Sequence, residues 1–295
     1  MFSLRTNGMR RCAKGPSGFR PASGILALGV TACLFLGIAP SPVLSQEAES
    51  APPEHHFNGR YLGKAAADFG HIVLSPFHWT GKDALLFGAA AGTTAVFFAL
   101  DGGIQERVMD SPEIRSSPFS LFVTHFGEGP FLIGLSAALY AGGEAFRNDS
   151  LRKTGLLSLE SFAVNGIIVG ALKFILGRSR PSSGDGECTF NIFSWESGKR
   201  SFPSGHASSA FAVAAVVAGQ AKDAVVGVFS YGLAGLVAVS RVVNNEHWAS
   251  DVVAGSILGF CIGRAVLELN RPGSKDKPTL SLAPGPGGFS LSLRF

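Results

Sequence analysis

The sequence predicts an all-α protein: a bundle of six core helices, membrane-embedded, followed by a short C-terminal β-hairpin tail. Three observations predict it. Of 295 residues, 46% are hydrophobic and only 16% charged, where a soluble globule carries about a quarter charged; the mean hydropathy is +0.28. Six apolar stretches recur between short polar breaks. The 38 glycines, many inside those stretches, suit close helix packing. The net charge of +4 comes from scattered cations with no basic aromatic stripe, which argues against a nucleic-acid partner.

Residues 1–45 read as a secretory signal peptide or a retained signal anchor. Arg5, Arg10, Arg11, Lys14 and Arg20 form a positive n-region, Gly24 to Ala39 an apolar h-region, and Val43-Leu44-Ser45 a small-residue cleavage site. Residues 46–80 follow as a polar linker and an amphipathic helix. In it Leu62, Ala65, Ala66, Phe69, Ile72 and Val73 recur at helical spacing, with Phe77 and Trp79 as aromatic anchors. Lying in the membrane interface and packing on the bundle are both open to it.

The helical domain covers 81–269. Its apolar segments are Ala84–Leu100, Phe131–Ala145, Gly155–Leu176, Ala207–Ala221, Ala224–Ser240 and Val252–Leu269. Several fall short of the roughly 20 residues a crossing needs, so a soluble bundle stays open. Glu160 and Asn165 read as polar contacts between helices. In the tail, 270–295, Leu280 and Leu282 alternate, Pro284 to Gly288 turn, and Phe289, Leu291, Leu293 and Phe295 alternate again. Cys12, Cys33, Cys188 and Cys261 have no framework spacing, and no structural disulfide is expected.

Three segments carry chemistry. Pro203-Ser204-Gly205-His206 precedes an apolar run. Pro203 suits a first helical turn, and free N–H groups at a helix N-terminus make a phosphate site. Upstream, Lys173 lies in the last turn of a helix that should end near Leu176, since Gly177 and Pro181 are stop signals. Arg178 is explained by the helix dipole; Lys173, inside apolar sequence, needs an anionic partner. Downstream, His247 and Asp251 are four apart, so they share a helical face. Asp251 can take one ring N–H and leave the other nitrogen as a nucleophile.

Taken together the segments read Lys173, six residues, Arg180-Pro181; Pro203-Ser204-Gly205-His206; Ser240-Arg241, five residues, His247, three residues, Asp251. This resembles the signature of the type 2 phosphatidic-acid phosphatase superfamily, which includes membrane lipid phosphatases, bacterial class A acid phosphatases and vanadium haloperoxidases. Every specified position is present, within a motif-bearing core of residues 151–269. The resemblance implies catalytic roles for His247 (nucleophile), Asp251 (its support) and His206 (general acid, then base). It implies that Lys173, Arg180, Arg241, the Ser204 hydroxyl and the Gly205 N–H hold the phosphoryl oxygens. Three fixed cations would neutralise the developing charge, so neither a metal nor another cofactor is expected. His55, His56, His71, His78 and His125 show no metal-ligand spacing.

The expected activity is hydrolysis of phosphate monoesters or diphosphates of lipids through a phosphohistidine, in the lipid-phosphatase branch. The alternative is a soluble periplasmic acid phosphatase on small phosphate esters. A vanadium haloperoxidase ranks below both. The expected partners are a phosphorylated lipid and the membrane. The 182–200 loop, with Phe190, Phe193 and Trp195, reads as a collar over the site or a plain surface loop; Glu246 either tunes charge or faces solvent. Arg147, Arg152 and Lys153, then Lys222, then Arg271, Lys275 and Lys277 mark cytoplasmic loops. They put the catalytic loops on the periplasmic side of an inner membrane. A cleaved leader followed by three crossings would instead put Lys173 on the cytoplasmic side, so either one of those segments does not cross, or the leader is not cleaved, or the protein is not an ordinary inner-membrane bundle.

Overall fold

The computed structural model describes residues 55–113, 115, 117–271, 279–285 and 288–294. The predicted leader, residues 1–45, and most of the linker lie outside the described residues.

Eight α-helices are found among the described residues, not six. The six expected segments each fall within one: α2 (Gly81–Met109), α4 (Gly129–Ala145), α5 (Asp149–Leu176), α6 (Gly205–Ala221), α7 (Ala224–Val243) and α8 (Ala249–Leu269). The others are α1 (Gly59–Leu74), read from the sequence as a helix outside the core, and α3 (Pro118–Thr124). At seven residues, α3 is too short to show a period. Pro118 opens it, and Ser117 caps it by accepting from Ser120 N at 3.2 Å.

Side-chain caps fix several starts. Asn58 accepts from Tyr61 N at 2.9 Å to begin α1. Thr80 and Asp83 form a reciprocal capping box on α2. Asp223 accepts from the N–H groups of Val225 and Val226 to begin α7. At the end of α5, Gly177 takes φ +58° as the C-cap, and a Cβ there would lie 1.7 Å from the carbonyl oxygen of Asn191. Only glycine fits that turn, so the helix stops where the sequence predicts.

The core is built around α6. Ala207 to Val216 are all buried, because α4, α5, α7 and α8 pack around this helix. Its closest neighbour is α8, and the reason is a glycine stripe. A Cβ at Gly255, Gly259 or Gly263 would approach the carbonyl oxygens of Ser204, Ser208 and Ala212 to 2.6, 1.9 and 2.4 Å. Small residues every four positions let the two backbones touch. From α5, the buried Asn165 donates to Ser208 Oγ and Ser209 Oγ at 3.0 and 3.1 Å, the interhelical contact expected of it. Helix α2 packs on α8.

Helix α1 is tied to the bundle by polar contacts. Tyr61 Oη donates to Glu160 Oε2 at 2.7 Å, and Asn270, just beyond α8, donates to the buried Asp68 at 2.8 Å. In the tail, Thr279–Gly285 (β1) and Gly288–Arg294 (β2) run antiparallel, with Leu280 opposite Leu293 and Leu282 opposite Leu291. Cys261 is a free thiol. Cys188 is disulfide-bonded, which corrects the expectation of no structural disulfide.

Four helices, α2, α5, α7 and α8, are long and apolar enough to cross a membrane. At 29 residues, α2 spans about 43 Å. The outer faces carry exposed apolar side chains, including Leu85 and Phe87 on α2 and Val228, Phe229 and Val239 on α7. A continuous apolar exterior of this kind matches lipid rather than water.

Candidate active site

Four helix ends converge: the C-termini of α5 and α7 and the N-termini of α6 and α8 bring the three motif segments together. Lys173 is in the last turn of α5, and Arg180 follows in the loop. Ser204 is the N-cap of α6, and Gly205 and His206 are its first residues. Pro203 stands one residue outside the helix rather than in its first turn. Arg241 is in the last turn of α7. Trp248 is the N-cap of α8 and Asp251 its third residue. His247 therefore precedes α8. It meets Asp251 because the chain turns into a cap, not because both share a helical face.

His247 is buried, and its Nδ1 lies 3.6 Å from Asp251 Oδ2. Ser201 sits between them. Its Oγ is 3.3 Å from His247 Nδ1 and donates to Asp251 Oδ2. With the serine proton committed to the carboxylate, Nδ1 is the nitrogen that donates to Ser201. This leaves Nε2 with its lone pair, the tautomer a nucleophile needs. Trp248 N adds a 3.0 Å bond to the same carboxylate oxygen.

Three cations lie near enough to act on the ring. Lys173, Arg180 and Arg241 all act on His247 by charge, as does His206. Burial first, then these positive neighbours, hold His247 well below its usual range. His206 is pushed down to about 4, again by burial first and then by Arg241. Both rings are therefore neutral at pH 7 in this state.

Each cation is held in place. Lys173 Nζ donates to the carbonyl oxygens of Arg200 and Ser201 at 2.7 and 3.3 Å. Its hydrogen-bond partners here are thus backbone carbonyls. Arg180 pairs with Glu246 Oε2, and Arg241 Nη2 lies 3.6 Å from the same oxygen. Glu246 thus pairs with two of the cations while staying partly exposed. Arg241 Nη1 donates to Thr124 Oγ1 on α3 at 2.5 Å. In the motif segments, Ser204 Oγ and Arg241 Nε are buried with no hydrogen-bond partner. Unpaired buried donors are costly, and the oxygens of a bound anion would satisfy such donors.

Asp251 is anchored from behind. Arg178 is fully buried and donates to Asp251 Oδ1 at 2.6 Å and to Asp101 Oδ2 at 2.8 Å. This corrects the reading of Arg178 as a cation that merely complements a helix dipole. Arg178, Asp101 and Ser201 are the residues around Asp251 and His247 that sequence reasoning missed. A signal existed for Asp101, a carboxylate within an apolar helix; none existed for Ser201. The collar residues Phe193 and Trp195 pack on Phe174 of α5, with ring centroids 5.5 and 4.5 Å apart, and Trp195 remains 74% exposed.

Residues 154–272 match the model of the PAP2 superfamily, so the chain carries a PAP2 superfamily domain there. Among curated proteins, the chain is similar to a lipid A 1-phosphatase of Porphyromonas gingivalis, 32% identical over 155 residues, covering 51% of this chain and 32% of the relative. A PA-phosphatase related-family protein of Dictyostelium discoideum is 32% identical over 125 residues, covering 38% and 46%. A lipid A 1-phosphatase of Rhizobium etli is 26% identical over 204 residues, covering 63% and 82%. The chain thus spans less than half the length of the first two relatives. Among solved structures, it is similar to a transmembrane PAP2 type phosphatidylglycerolphosphate phosphatase from Bacillus subtilis, with a TM-score of 0.42 and 21% identity over 73% of this chain and 99% of that one.

Proposed function

We propose that this protein is a membrane-embedded phosphatase that hydrolyses phosphate monoesters or diphosphates of lipids through a phosphohistidine at His247. The observation that carries the reading is the buried His247–Ser201–Asp251 arrangement, which engages Nδ1 and leaves Nε2 its lone pair, with Lys173, Arg180 and Arg241 near enough to act on the ring by charge. Nε2 attacks phosphorus, the N–P bond forms, and the bond to the leaving oxygen breaks. His206 supplies the leaving oxygen with its proton. Water then attacks the phosphohistidine, giving its proton back to His206 and releasing phosphate.

His206 is neutral in the empty site, so it must gain a proton when substrate binds. A phosphate dianion beside it offsets Arg241 and favours the charged ring. The three cations, with Ser204 Oγ and the Gly205 N–H, stabilise the charge that develops on the equatorial oxygens. They supply the electrostatic stabilisation that a metal ion gives in other phosphatases, so the proposed reaction is metal-independent.

A lipid substrate is favoured by the setting. The site opens at the ends of helices whose outer faces are apolar, and the relatives named as lipid A 1-phosphatases point the same way. The chain direction supports a periplasm-facing site. The α4–α5 loop, the α6–α7 turn and the segment after α8 lie at the end opposite the site and carry Arg147, Lys222 and Arg271. Such a cationic end belongs in the cytoplasm.

The test is phosphate release by purified protein in detergent with chelator present. The substrates are a phosphorylated glucosamine lipid, phosphatidic acid and a soluble aryl phosphate. Lipid preference with chelator-resistant turnover is expected. Preference for the soluble ester would overturn the lipid assignment, and loss of activity with chelator would overturn the metal-free mechanism.

A further inference from the structure

Behind the nucleophile lies a buried network that the reaction as proposed does not use. Asp101, on α2, accepts from Arg178 Nη2 at 2.8 Å and from the backbone N–H of Ser250 at 2.9 Å. Ser250 Oγ also donates to Asp101, and Arg178 Nη1 donates to Ser250 Oγ at 2.7 Å. Arg178 spends its remaining donors on Asp251 Oδ1 at 2.6 Å and on the carbonyl of Glu187 at 2.8 and 3.0 Å. It is enclosed by aromatic faces, with Phe98 at 4.5 Å and Trp248 at 5.5 Å from its guanidinium carbon. Asp101, Arg178 and Asp251 have side chains with no solvent exposure.

Charges in that position are not there for stability. A buried ion pair returns little more than its desolvation costs, whereas losing one partner strands the other. Two carboxylates share one guanidinium; with both ionised, the trio carries one net negative charge. If Asp101 were neutral, Arg178 would be matched to Asp251 alone. Less of the Asp251 charge would then reach the imidazole. Asp101 also fixes Asp251 geometrically, since both carboxylates cap the first turn of α8, one through Ser250 N and the other through Trp248 N.

We infer that Asp101 is a positioning residue for the nucleophile: by holding Arg178 from α2, it leaves Asp251 anionic enough to orient His247 and to support the charge on the ring as it attacks. The inference rests on the assignment of His247 as nucleophile. It extends the functional unit to α2, outside the matched 154–272 stretch. Other charged groups also face His247: Lys173 from α5, Arg180 from the following loop, His206 from α6, Arg241 from α7 and Asp251 from α8. All but Asp251 are cationic or become so on protonation, so the negative charge from behind is what opposes them at the ring.

Asp101→Asn, Asp101→Glu and the double variant Asp101→Asn with Arg178→Gln distinguish this from a packing role. Asp101→Asn should lower kcat about tenfold with little change in KM, and shift the acid limb of the rate profile to lower pH by about half a pH unit. Asp101→Glu should restore part of the rate. The double variant removes the guanidinium together with its partner, so the acid limb should move back toward the wild-type position. Ser250→Ala, a milder change to the same network, should shift the limb in the same direction by less; it gives the answer if the charged variants do not fold. The pH dependence of orthovanadate binding reads His247 without turnover, so an inactive wild type would sink the phosphatase assignment while leaving this test standing. An unchanged limb in Asp101→Asn and Ser250→Ala, or a double variant shifted further the same way, would overturn the inference.

Discussion

The hydroxyl of Ser201 lies 3.3 Å from His247 Nδ1, nearer than the 3.6 Å carboxylate oxygen of Asp251. The histidine and the aspartate therefore communicate chiefly through a serine proton. Ser201 is itself fully buried, and its carbonyl accepts from Lys173. One residue thus ties the tautomer of the proposed nucleophile to a cation proposed to bind phosphate.

Replacing that hydroxyl tests the arrangement. Ser201→Ala should reduce kcat about 10- to 100-fold, the effect of losing a buried hydrogen bond to a charged group. KM should change little, since the serine is not aimed at substrate. Ser201→Thr should keep part of the rate. Steady-state kinetics on a lipid phosphate checks both.

On the proposed assignment, Glu246 should compete with the substrate. Its Oε2 contacts Arg180 and lies 3.6 Å from Arg241, two of the three cations assigned to the phosphoryl group. Neutralising it should free both guanidinium groups. Glu246→Gln should strengthen orthovanadate binding by up to about fivefold, in line with the roughly 1 kcal/mol or less that a partly exposed pair contributes. Inhibition constants for the two proteins measure it.

Stability should fall on the acid side. His206 protonates near pH 6.5 when unfolded and only at about 4 in the fold, and His247 is held low by the same causes. Between those limits the unfolded chain binds more protons, so stability drops as pH falls from about 6.5 toward 4. His206→Asn should flatten that slope. Thermal unfolding in detergent from pH 4 to 8 reads the difference.

The glycine stripe of α8 should tolerate nothing larger. A Cβ at Gly259 would reach within 1.9 Å of the Ser208 carbonyl, whereas one at Gly235 meets nothing within 4 Å. Gly259→Ala should cost about 1–3 kcal/mol by forcing α6 and α8 apart. It should also lower activity, because those helices carry Ser204 and Asp251. Gly235→Ala should be neutral or slightly stabilising. Melting temperatures of the two variants compare directly.

What could be read in the sequence was local. Lys173, Arg180, Ser204, Gly205, His206, Arg241, His247 and Asp251 are found in three short runs, and their spacing reports helix ends that Gly177 and Asp251 themselves help to make. The network behind them was not readable in the same way. Asp101 is 77 residues from Arg178, and Arg178 is 73 from Asp251; no period or spacing links side chains so far apart. Helix α3 escaped notice because seven residues cannot show a face, yet its Thr124 holds Arg241. The His247–Asp251 spacing pointed to the right pair for a different geometric reason, a helix cap rather than a shared face.

The central claim is a phosphoryl group carried on His247. Rapid acid-free quenching of the protein with a radiolabelled lipid phosphate, followed by base-stability analysis and peptide mapping, tests it most directly. The account predicts a base-stable, acid-labile adduct on His247 that is absent from His247→Ala, together with loss of phosphate release in that variant. Unchanged turnover by His247→Ala, or an adduct mapped to another residue, would contradict it.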